Sequence, residues 1–281
     1  MTAIARYSIG EALRRRVFVI IVVLTSAFLA LYGLGSKAVF DEVSNNNVGN
    51  DLIKETTAAG GTLIGLGMFV TLFLGVVLAV FMTMSTARGD AERGILQPLV
   101  VRPVGRQAVL LGRLAAATAV AAIYAILVFG LLVLITWAVG DWTPDHVITP
   151  ALSLAGALAI VTCLSVLGSI YLSTTANGIA IFMAFGAGLT AGLLGQIGEA
   201  LDSHRLESIA RTASRILPFE ALYQAGLNEL TSNTTGITKV AIDLGPFGGA
   251  EAIGAGTLIW SVLYGAAAIG IALFGFGRSD L

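Results

Sequence analysis

Long apolar stretches separated by short charged segments form the dominant pattern of this chain. Between Arg16 and Lys37 lie 20 uncharged residues, and charge-free gaps of 32, 27 and 26 residues follow Glu55, Arg113 and Glu251. A bilayer core about 30 Å thick is crossed by about 20 apolar residues in a helix, and a charge inside it is costly. Each gap therefore predicts one membrane-spanning helix.

A fifth gap of 53 residues, neutral at pH 7, lies between Asp145 and Glu199 and is long enough for two helices. The polar run at residues 173–178 predicts a turn between them. A cleaved signal peptide is the alternative for the first span, but the length of that apolar stretch favours a span. The pattern thus predicts an all-α membrane protein with six transmembrane helices, at residues 17–35, 61–86, 109–139, 147–172, 178–198 and 253–277. A composition with 56% hydrophobic and 12% charged residues agrees.

Lys and Arg are distributed unequally between the two sides that six spans define. The N-terminus, the loop between spans two and three and the C-terminus carry ten Lys and Arg and four Asp and Glu, a net charge of +6. The opposite side carries six Lys and Arg and thirteen Asp and Glu, a net charge of −7. Because loops rich in Lys and Arg stay in the cytoplasm, both termini are predicted to be cytoplasmic. The protein is accordingly expected to be a multi-pass protein of the cell membrane, inner or plasma.

Two segments on the predicted outer side are polar. Residues 37–55, which are rich in Asn, are predicted to form an outer loop. The last outer loop, residues 199–251, has an apolar stripe with helical spacing from Leu206 to Leu217, and a second stripe begins after Pro218. This predicts two short amphipathic helices, which either cap the outer end of a transport pathway or shield the span ends from water. For a capping role, the outer gate candidates are Leu217, Pro218, Phe219 and Tyr223.

The predicted inner loop at residues 88–106 has six charges in 19 residues. A short helix at about residues 91–100 would have an apolar face of Ile95, Leu96 and Leu99 and a polar face of Glu92, Arg93 and Gln97. Such a surface suits a compact cytoplasmic partner. The alternative is a loop that only follows the positive-inside rule, but that rule requires neither acids nor an apolar stripe.

Glycine motifs and the lack of a catalytic or metal-binding residue pattern in the sequence limit the possible functions further. The motifs at Gly61 and Gly65 and at Gly188 and Gly192 favour close helix packing, either within one subunit or, for span five, at a dimer contact. The two histidines fall in different loops, the single cysteine, Cys163, lies in a span, and no metal-ligand or catalytic spacing is present. The chain is therefore expected not to be an enzyme. Spans without charge also disfavour ion-coupled transport.

The run at residues 90–112, DAERGILQPLVVRPVGRQAVLLG, resembles the coupling loop of type-2 ABC transporter permeases of the export type. Leu217, Pro218 and Phe219 resemble the family's Leu-Pro element after span five. The chain length, six spans and long last outer loop are similar to permeases of the nitrous oxide reductase maturation branch. The large extracellular domain of other branches has no counterpart between spans one and two.

This resemblance implies a permease that couples ATP hydrolysis in a separate subunit to export of a substrate. The coupling-loop residues that would contact the ATPase are Glu92, Arg93, Gln97, Arg102 and Arg106. ATP and Mg²⁺ would bind in two ABC ATPase subunits, since this chain has no G-x-x-x-x-G-K-[ST] motif and is expected to hold no cofactor or metal of its own.

Other partners are expected as well: a second permease chain, identical or paralogous, membrane lipid, and a periplasmic or extracellular accessory protein, but no nucleic acid. The alternatives are a secondary transporter or channel subunit, and a permease that transmits force to a periplasmic partner. Neither the substrate nor the choice among these follows from the residues.

Overall fold

The computed structural model describes residues 16–46, 50–83, 106–230, 232 and 254–278, and every regular element among them is an α-helix. The eight helices of this part of the chain are α1 (Arg16–Asn46), α2 (Asn50–Thr83), α3 (Arg106–Gly140), α4 (Ile148–Tyr171), α5 (Thr174–Ala200), α6 (His204–Ile216), α7 (Pro218–Leu230) and α8 (Ala255–Arg278). Six of them, α1 to α5 and α8, are long and apolar enough to cross a membrane. The predicted all-α architecture with six helices of spanning length is confirmed, and the cytoplasmic location of the termini stays a prediction.

The first two helices are longer than the apolar stretches that predict them. α1 continues to Asn46 and α2 begins at Asn50, so the prediction of a loop at residues 37–55 is wrong for most of that segment. No Gly or Pro interrupts residues 36–46. Phe40 is buried against α3, where Gly140 leaves room for its ring. A buried anchor beyond the apolar stretch therefore extends α1, because tertiary packing supplies most of the stability of a helix.

The connection between α4 and α5 is shorter than predicted. α4 ends at Tyr171 and α5 begins at Thr174, so most of the predicted turn at residues 173–178 is the first turn of α5. The Ser173 hydroxyl accepts a hydrogen bond of 3.4 Å from an amide of that turn. A serine before the first helical residue satisfies donors that a helix start leaves free. The polar run therefore starts a helix.

Contacting residue pairs establish the directions of the long helices. α1, α3 and α5 run one way, and α2, α4 and α8 run the other way. The pairs are Thr25 with Tyr124 and Tyr32 with Thr136 (α1 and α3), Gly67 with Leu132 (α2 and α3), Gly75 with Leu158 and Thr83 with Ser165 (α2 and α4), Gly168 with Asn177 (α4 and α5), and Gly265 with Ile160 and Gly275 with Tyr171 (α4 and α8). We call the end where α2 finishes and α3 begins the coupling end, and the opposite end, where α6 and α7 follow α5, the hairpin end.

α4 is the central helix and contacts α2, α3, α5, α7 and α8. The larger of two apolar clusters joins side chains of α2, α3, α4, α5 and α7, and the smaller joins α3, α4 and α8 near the coupling end. The outward faces of the long helices expose many large apolar side chains, among them Leu31, Leu127 and Val262. Extensive apolar surface of this kind is what a membrane covers.

Candidate functional site

Two short helices between α5 and α8 form a helical hairpin. Leu217 alone separates α6 from α7. Pro218 takes the first position of α7, where its fixed φ and missing N–H are tolerated. The Leu217 amide donates to the Ala213 carbonyl at 2.8 Å, and the Glu220 amide donates to the Leu217 carbonyl at 3.2 Å. Backbone hydrogen bonds therefore continue through the turn while the chain reverses.

A row of glycines on α5 receives this hairpin. The contacts, in order from the hairpin end, are Gly198 with Glu207, Gly195 with Ala210, Gly192 with Glu220 and Gln224, and Gly188 with Phe219. α6 thus runs antiparallel to α5 towards the middle of the protein, and α7 returns to the hairpin end. Gly192 lies six residues inside the candidate span Thr174–Gly198, which is about 9 Å along the helix axis. The tip of the hairpin therefore lies beside the candidate span of α5 and not beyond its end.

The hairpin occupies the segment for which the sequence predicts two short amphipathic helices at the outer surface. Two short helices are present, and the apolar residues of α7 pack against α2, α4 and α5. Gly188 and Gly192 pack within one chain, which was one of the two uses predicted for them, and Gly65 of the other glycine motif faces Leu227 of α7. That the segment lies on the outer side stays a prediction.

The outer gate candidates lie at the tip of the hairpin. Phe219 and Tyr223 are each 1% exposed, Pro218 is buried and Leu217 is partly buried. The Phe219 ring stacks on Phe185 of α5 with centroids 5.9 Å apart. All four candidates therefore anchor the hairpin in the core of one chain, and their gating role stays a prediction.

A buried carboxylate joins the two arms of the hairpin. Glu220 is only 2% exposed. Its Oε2 accepts a hydrogen bond of 2.8 Å from the Ser214 hydroxyl of α6, and its Oε1 accepts one from the Gln224 amide. The hydroxyl of Tyr223 is buried beside them and has no hydrogen-bond partner among the described residues. The hairpin therefore brings an ionisable group to the depth of the span of α5, although the predicted spans contain no charge.

Glu220 is not among the site residues that the sequence predicts, because its segment has the pattern of an outer loop. The signal was present as two polar residues, Glu220 and Gln224, spaced four apart beside an apolar stripe. Residues with this spacing share one face of a helix. Buried polar groups are hydrogen-bonded as a rule, and here Glu220 accepts from Gln224 on its own helix and from Ser214 on α6.

A cavity of about 780 Å³ lies between α5, the hairpin and the first turns of α8. Its lining is formed by Ala191, Gly192, Gly195, Glu207, Ala210, Arg211, Ser214, Arg215, Glu220, Ala221, Gln224, Gly256, Thr257 and Trp260. The indole N–H of Trp260 donates a hydrogen bond of 2.8 Å to the Arg215 carbonyl and so ties α8 to α6. We call this cavity the crevice. It contains two arginines and two glutamates, which balance in charge.

The C-terminal end of α7 is attached to the connection between α3 and α4. The Asp145 amide donates to the Leu230 carbonyl at 3.1 Å. His146 Nδ1 lies 3.3 Å from a carboxylate oxygen of Glu229 and 3.2 Å from the hydroxyl of Ser232. His204 is instead near Glu207, at 3.7 Å. Among the described residues, no group of three His, Cys, Asp or Glu could hold a metal ion.

Polar side chains join three helices at the coupling end. The hydroxyls of Thr83 and Ser165 are 2.5 Å apart, and the Asn177 amide nitrogen donates to the Ser165 carbonyl at 2.9 Å. These residues belong to α2, α4 and α5, and all three are buried. The helix α2, which leads into the predicted coupling loop, is therefore connected to the other two.

Most of the predicted ATPase contacts lie outside the described residues. These are Glu92, Arg93, Gln97 and Arg102, and the predicted helix at residues 91–100 lies outside them as well. Arg106 is the first residue of α3. The segment that carries them connects the end of α2 to the start of α3.

The comparisons with known proteins decide the family. A family model for the ABC-2 family of transporter proteins matches residues 2–281, which is nearly the whole chain. The chain belongs to the ABC-2 transporter family. No curated protein matches it. Membership in the ABC-2 family, with six apolar helices of spanning length, makes the chain a multi-pass membrane protein and a permease subunit of an ABC transporter, which works with ATPase partners.

Proposed function

We propose that this ABC-2 permease is the transmembrane subunit of an ATP-driven exporter. The observation that carries the proposal is the family match over residues 2–281 in a chain with six helices of spanning length. The chain itself is non-catalytic and holds no cofactor, since it lacks the phosphate-binding G-x-x-x-x-G-K-[ST] motif. ATP and Mg²⁺ bind in a separate ABC ATPase.

The proposed complex contains two permease chains and two ATPase subunits. The two permease chains are identical or paralogous, and each supplies six spans with both termini in the cytoplasm. The net charge of +6 on the predicted inner side and −7 on the predicted outer side supports this orientation in the cell membrane. The coupling-loop sequence and the long segment after α5 support the nitrous oxide reductase maturation branch of the family. An accessory protein on the outer side fits that branch.

The coupling segment is proposed to receive force from the ATPase. It connects α2 to α3, so a displacement of Glu92, Arg93, Gln97, Arg102 or Arg106 acts on both helices. The buried contact between Thr83 and Ser165 supports transfer of that displacement to α4, and Asn177 extends it to α5. Buried polar contacts suit this task because they are directional and costly to break.

The hairpin is proposed to be the outer gate. α7 packs on α2, α4 and α5, so a movement of these helices carries the hairpin with it. Its tip is anchored by the four outer gate candidates, Leu217, Pro218, Phe219 and Tyr223, which transmit the movement. The crevice beside α6 leaves space into which the hairpin can shift. A helix that borders a cavity can move, whereas a helix in a close-packed core resists displacement.

Co-purification tests the coupling role. The tagged permease, expressed with its ATPase and extracted in detergent, should retain that subunit, and joint charge reversal by Glu92→Lys and Arg93→Glu should release it. The matched control is charge reversal at Arg205 and Glu207, which lie on α6 and not in the coupling segment. Retention of the ATPase by the coupling-segment variant would overturn the proposed contact, and an ATPase-free permease under all conditions would overturn the exporter.

A further inference from the structure

The connection between α3 and α4, residues 141–147, lies across the ends of two other helices, and we call it the strap. The ring of Trp142 lies against Gly60 of α2. The Asp145 amide donates a hydrogen bond of 3.1 Å to the carbonyl of Leu230, the last residue of α7. A helix leaves its last carbonyls without donors of its own, so this hydrogen bond caps α7. The strap therefore holds the end of the hairpin arm that returns from the core.

His146 of the strap contacts α7 through one ring nitrogen. Nδ1 lies 3.3 Å from a carboxylate oxygen of Glu229 and 3.2 Å from the hydroxyl of Ser232, which lies beyond the end of α7. An ionised carboxylate only accepts hydrogen bonds, so the contact with Glu229 requires a proton on Nδ1. An imidazolium always carries that proton, whereas a neutral imidazole carries it on Nδ1 in only one of its two tautomers. Protonation of His146 therefore favours the partner that belongs to α7.

The charges around the strap also favour the protonated form of the contact. The described charged side chains of the strap and of the neighbouring ends of α2 and α7 are all acidic: Asp141 and Asp145 in the strap, Glu55 in the second turn of α2, and Glu229 in the last turn of α7. α4, which begins just after the strap, has no charged residue. An imidazolium adds an opposite charge to this group of carboxylates, and a neutral ring does not.

The exposure of the pair determines how it responds to pH. The side chain of His146 is 50% exposed and that of Glu229 is 33% exposed, so the solvent can exchange protons with the imidazole. Histidine is the side chain that ordinarily changes its charge between pH 5 and 8. Ion pairs at such exposed positions shift an equilibrium by up to about fivefold. The strap is thus held with a strength that varies with pH by a small factor.

We propose that His146 is a pH-sensitive latch, which holds the C-terminal end of α7 to the strap when its imidazole is protonated. The latch is complete at low pH, where the imidazolium binds Glu229, and it weakens as the pH rises and the ring loses its charge. That a weaker latch lets the hairpin move more easily as the outer gate rests on the proposed function. The latch itself is a property of the permease alone, so its failure and failure of the exporter function are distinguishable.

Hydrogen exchange of the Asp145 amide in the purified full-length permease measures the latch, because this amide donates to α7. Its protection factor, corrected for the pH dependence of exchange itself, should be about two- to fivefold higher at about pH 5.5 than at about pH 8. His146→Gln should remove this difference. His204→Gln is the matched control and should leave the difference unchanged, since this second histidine lies near Glu207 on α6 and not in the strap.

Two further variants separate the ion pair from the hydroxyl contact. Glu229→Gln keeps a side chain of the same size but removes the negative charge, so most of the pH dependence should be lost although His146 is still present. Ser232→Ala removes only the contact beyond α7 and should retain the pH dependence. A protection factor that does not vary with pH in the unmodified protein would overturn the proposal, as would a full pH dependence in His146→Gln or Glu229→Gln.

Discussion

Ser214 on α6 donates a hydrogen bond of 2.8 Å to Oε2 of Glu220 on α7, across the turn of the helical hairpin. The other oxygen of this carboxylate accepts from Gln224. Both Glu220 and Gln224 face Gly192 of α5. A buried carboxylate is costly to leave without donors, so this arrangement holds the two arms of the hairpin and α5 together.

Removal of the hydroxyl at position 214 should weaken the hairpin. Ser214→Ala removes one of the hydrogen-bond donors to the buried Glu220 carboxylate and should lower the free energy of unfolding by about 1–3 kcal/mol. Ser208→Ala, at an exposed position on the same helix, should change it by less than about 0.5 kcal/mol. Denaturant unfolding in detergent measures both variants. Equal stabilities would mean that this hydrogen bond does not hold the hairpin.

A side chain at Gly192 should displace the hairpin from α5. A Cβ there would overlap Glu220 and Gln224, so Gly192→Ala should destabilise by about 1–3 kcal/mol. Gly186 on the same helix faces open space, and Gly186→Ala should be neutral or stabilise by up to about 1 kcal/mol, since Ala is the better helix former. Thermal unfolding of the two variants compares them directly. A Gly192→Ala protein as stable as Gly186→Ala would contradict the close packing of the hairpin on α5.

The hydroxyl of Tyr223 should be dispensable while its ring is not. The hydroxyl is buried without a partner among the described residues, so Tyr223→Phe should be neutral or stabilising by up to about 1 kcal/mol. Tyr223→Leu should lose about 2–4 kcal/mol, because the smaller side chain leaves a cavity in the core that surrounds it. Loss of stability in Tyr223→Phe, measured by the same unfolding transition, would instead indicate a role for the hydroxyl.

At the coupling end, Asn177 should support force transfer but not ATPase docking. Asn177→Ala removes the hydrogen bond to the Ser165 carbonyl and should lower stability by about 1–3 kcal/mol. The ATPase should still co-purify, because the coupling segment is unchanged. Thr175→Ala, at an exposed position in the same helical turn, is the control and should affect neither property. Release of the ATPase from the Asn177→Ala complex would place Asn177 in the docking surface.

The hydrophobic pattern predicted the number and type of the long helices because charge-free stretches of spanning length are set by bilayer thickness. It failed where a helix end depends on a tertiary contact, as in α1, which Phe40 extends by packing beside Gly140. It also failed at residues 173–178, where the serine that could end a helix instead starts α5. Local composition does not distinguish these outcomes.

The candidate site was only partly predictable for a related reason. The stripe around Phe219 and Tyr223 predicted a helix in the right place, but its depth depends on the glycine row of α5, which lies more than 20 residues earlier in the chain. The residues around Glu220 therefore predicted a surface loop, whereas its side chain is buried in the core. The pairing of α6 with α5, which creates the crevice, involves the two other glycines of that row, Gly198 against Glu207 and Gly195 against Ala210.

We propose that ATP hydrolysis in a partner subunit moves the hairpin of this permease. Spin labels at Thr212 on α6 and Ile259 on α8, both exposed, would report the distance across the crevice once Cys163, the single cysteine, is replaced by Ala. A control pair at Leu31 on α1 and Leu134 on α3 should keep one distance, since two side-chain hydrogen bonds join these helices. We expect the α6–α8 distance in the permease–ATPase complex to differ between the nucleotide-free and vanadate-trapped states. An unchanged α6–α8 distance in a complex that hydrolyses ATP would contradict it.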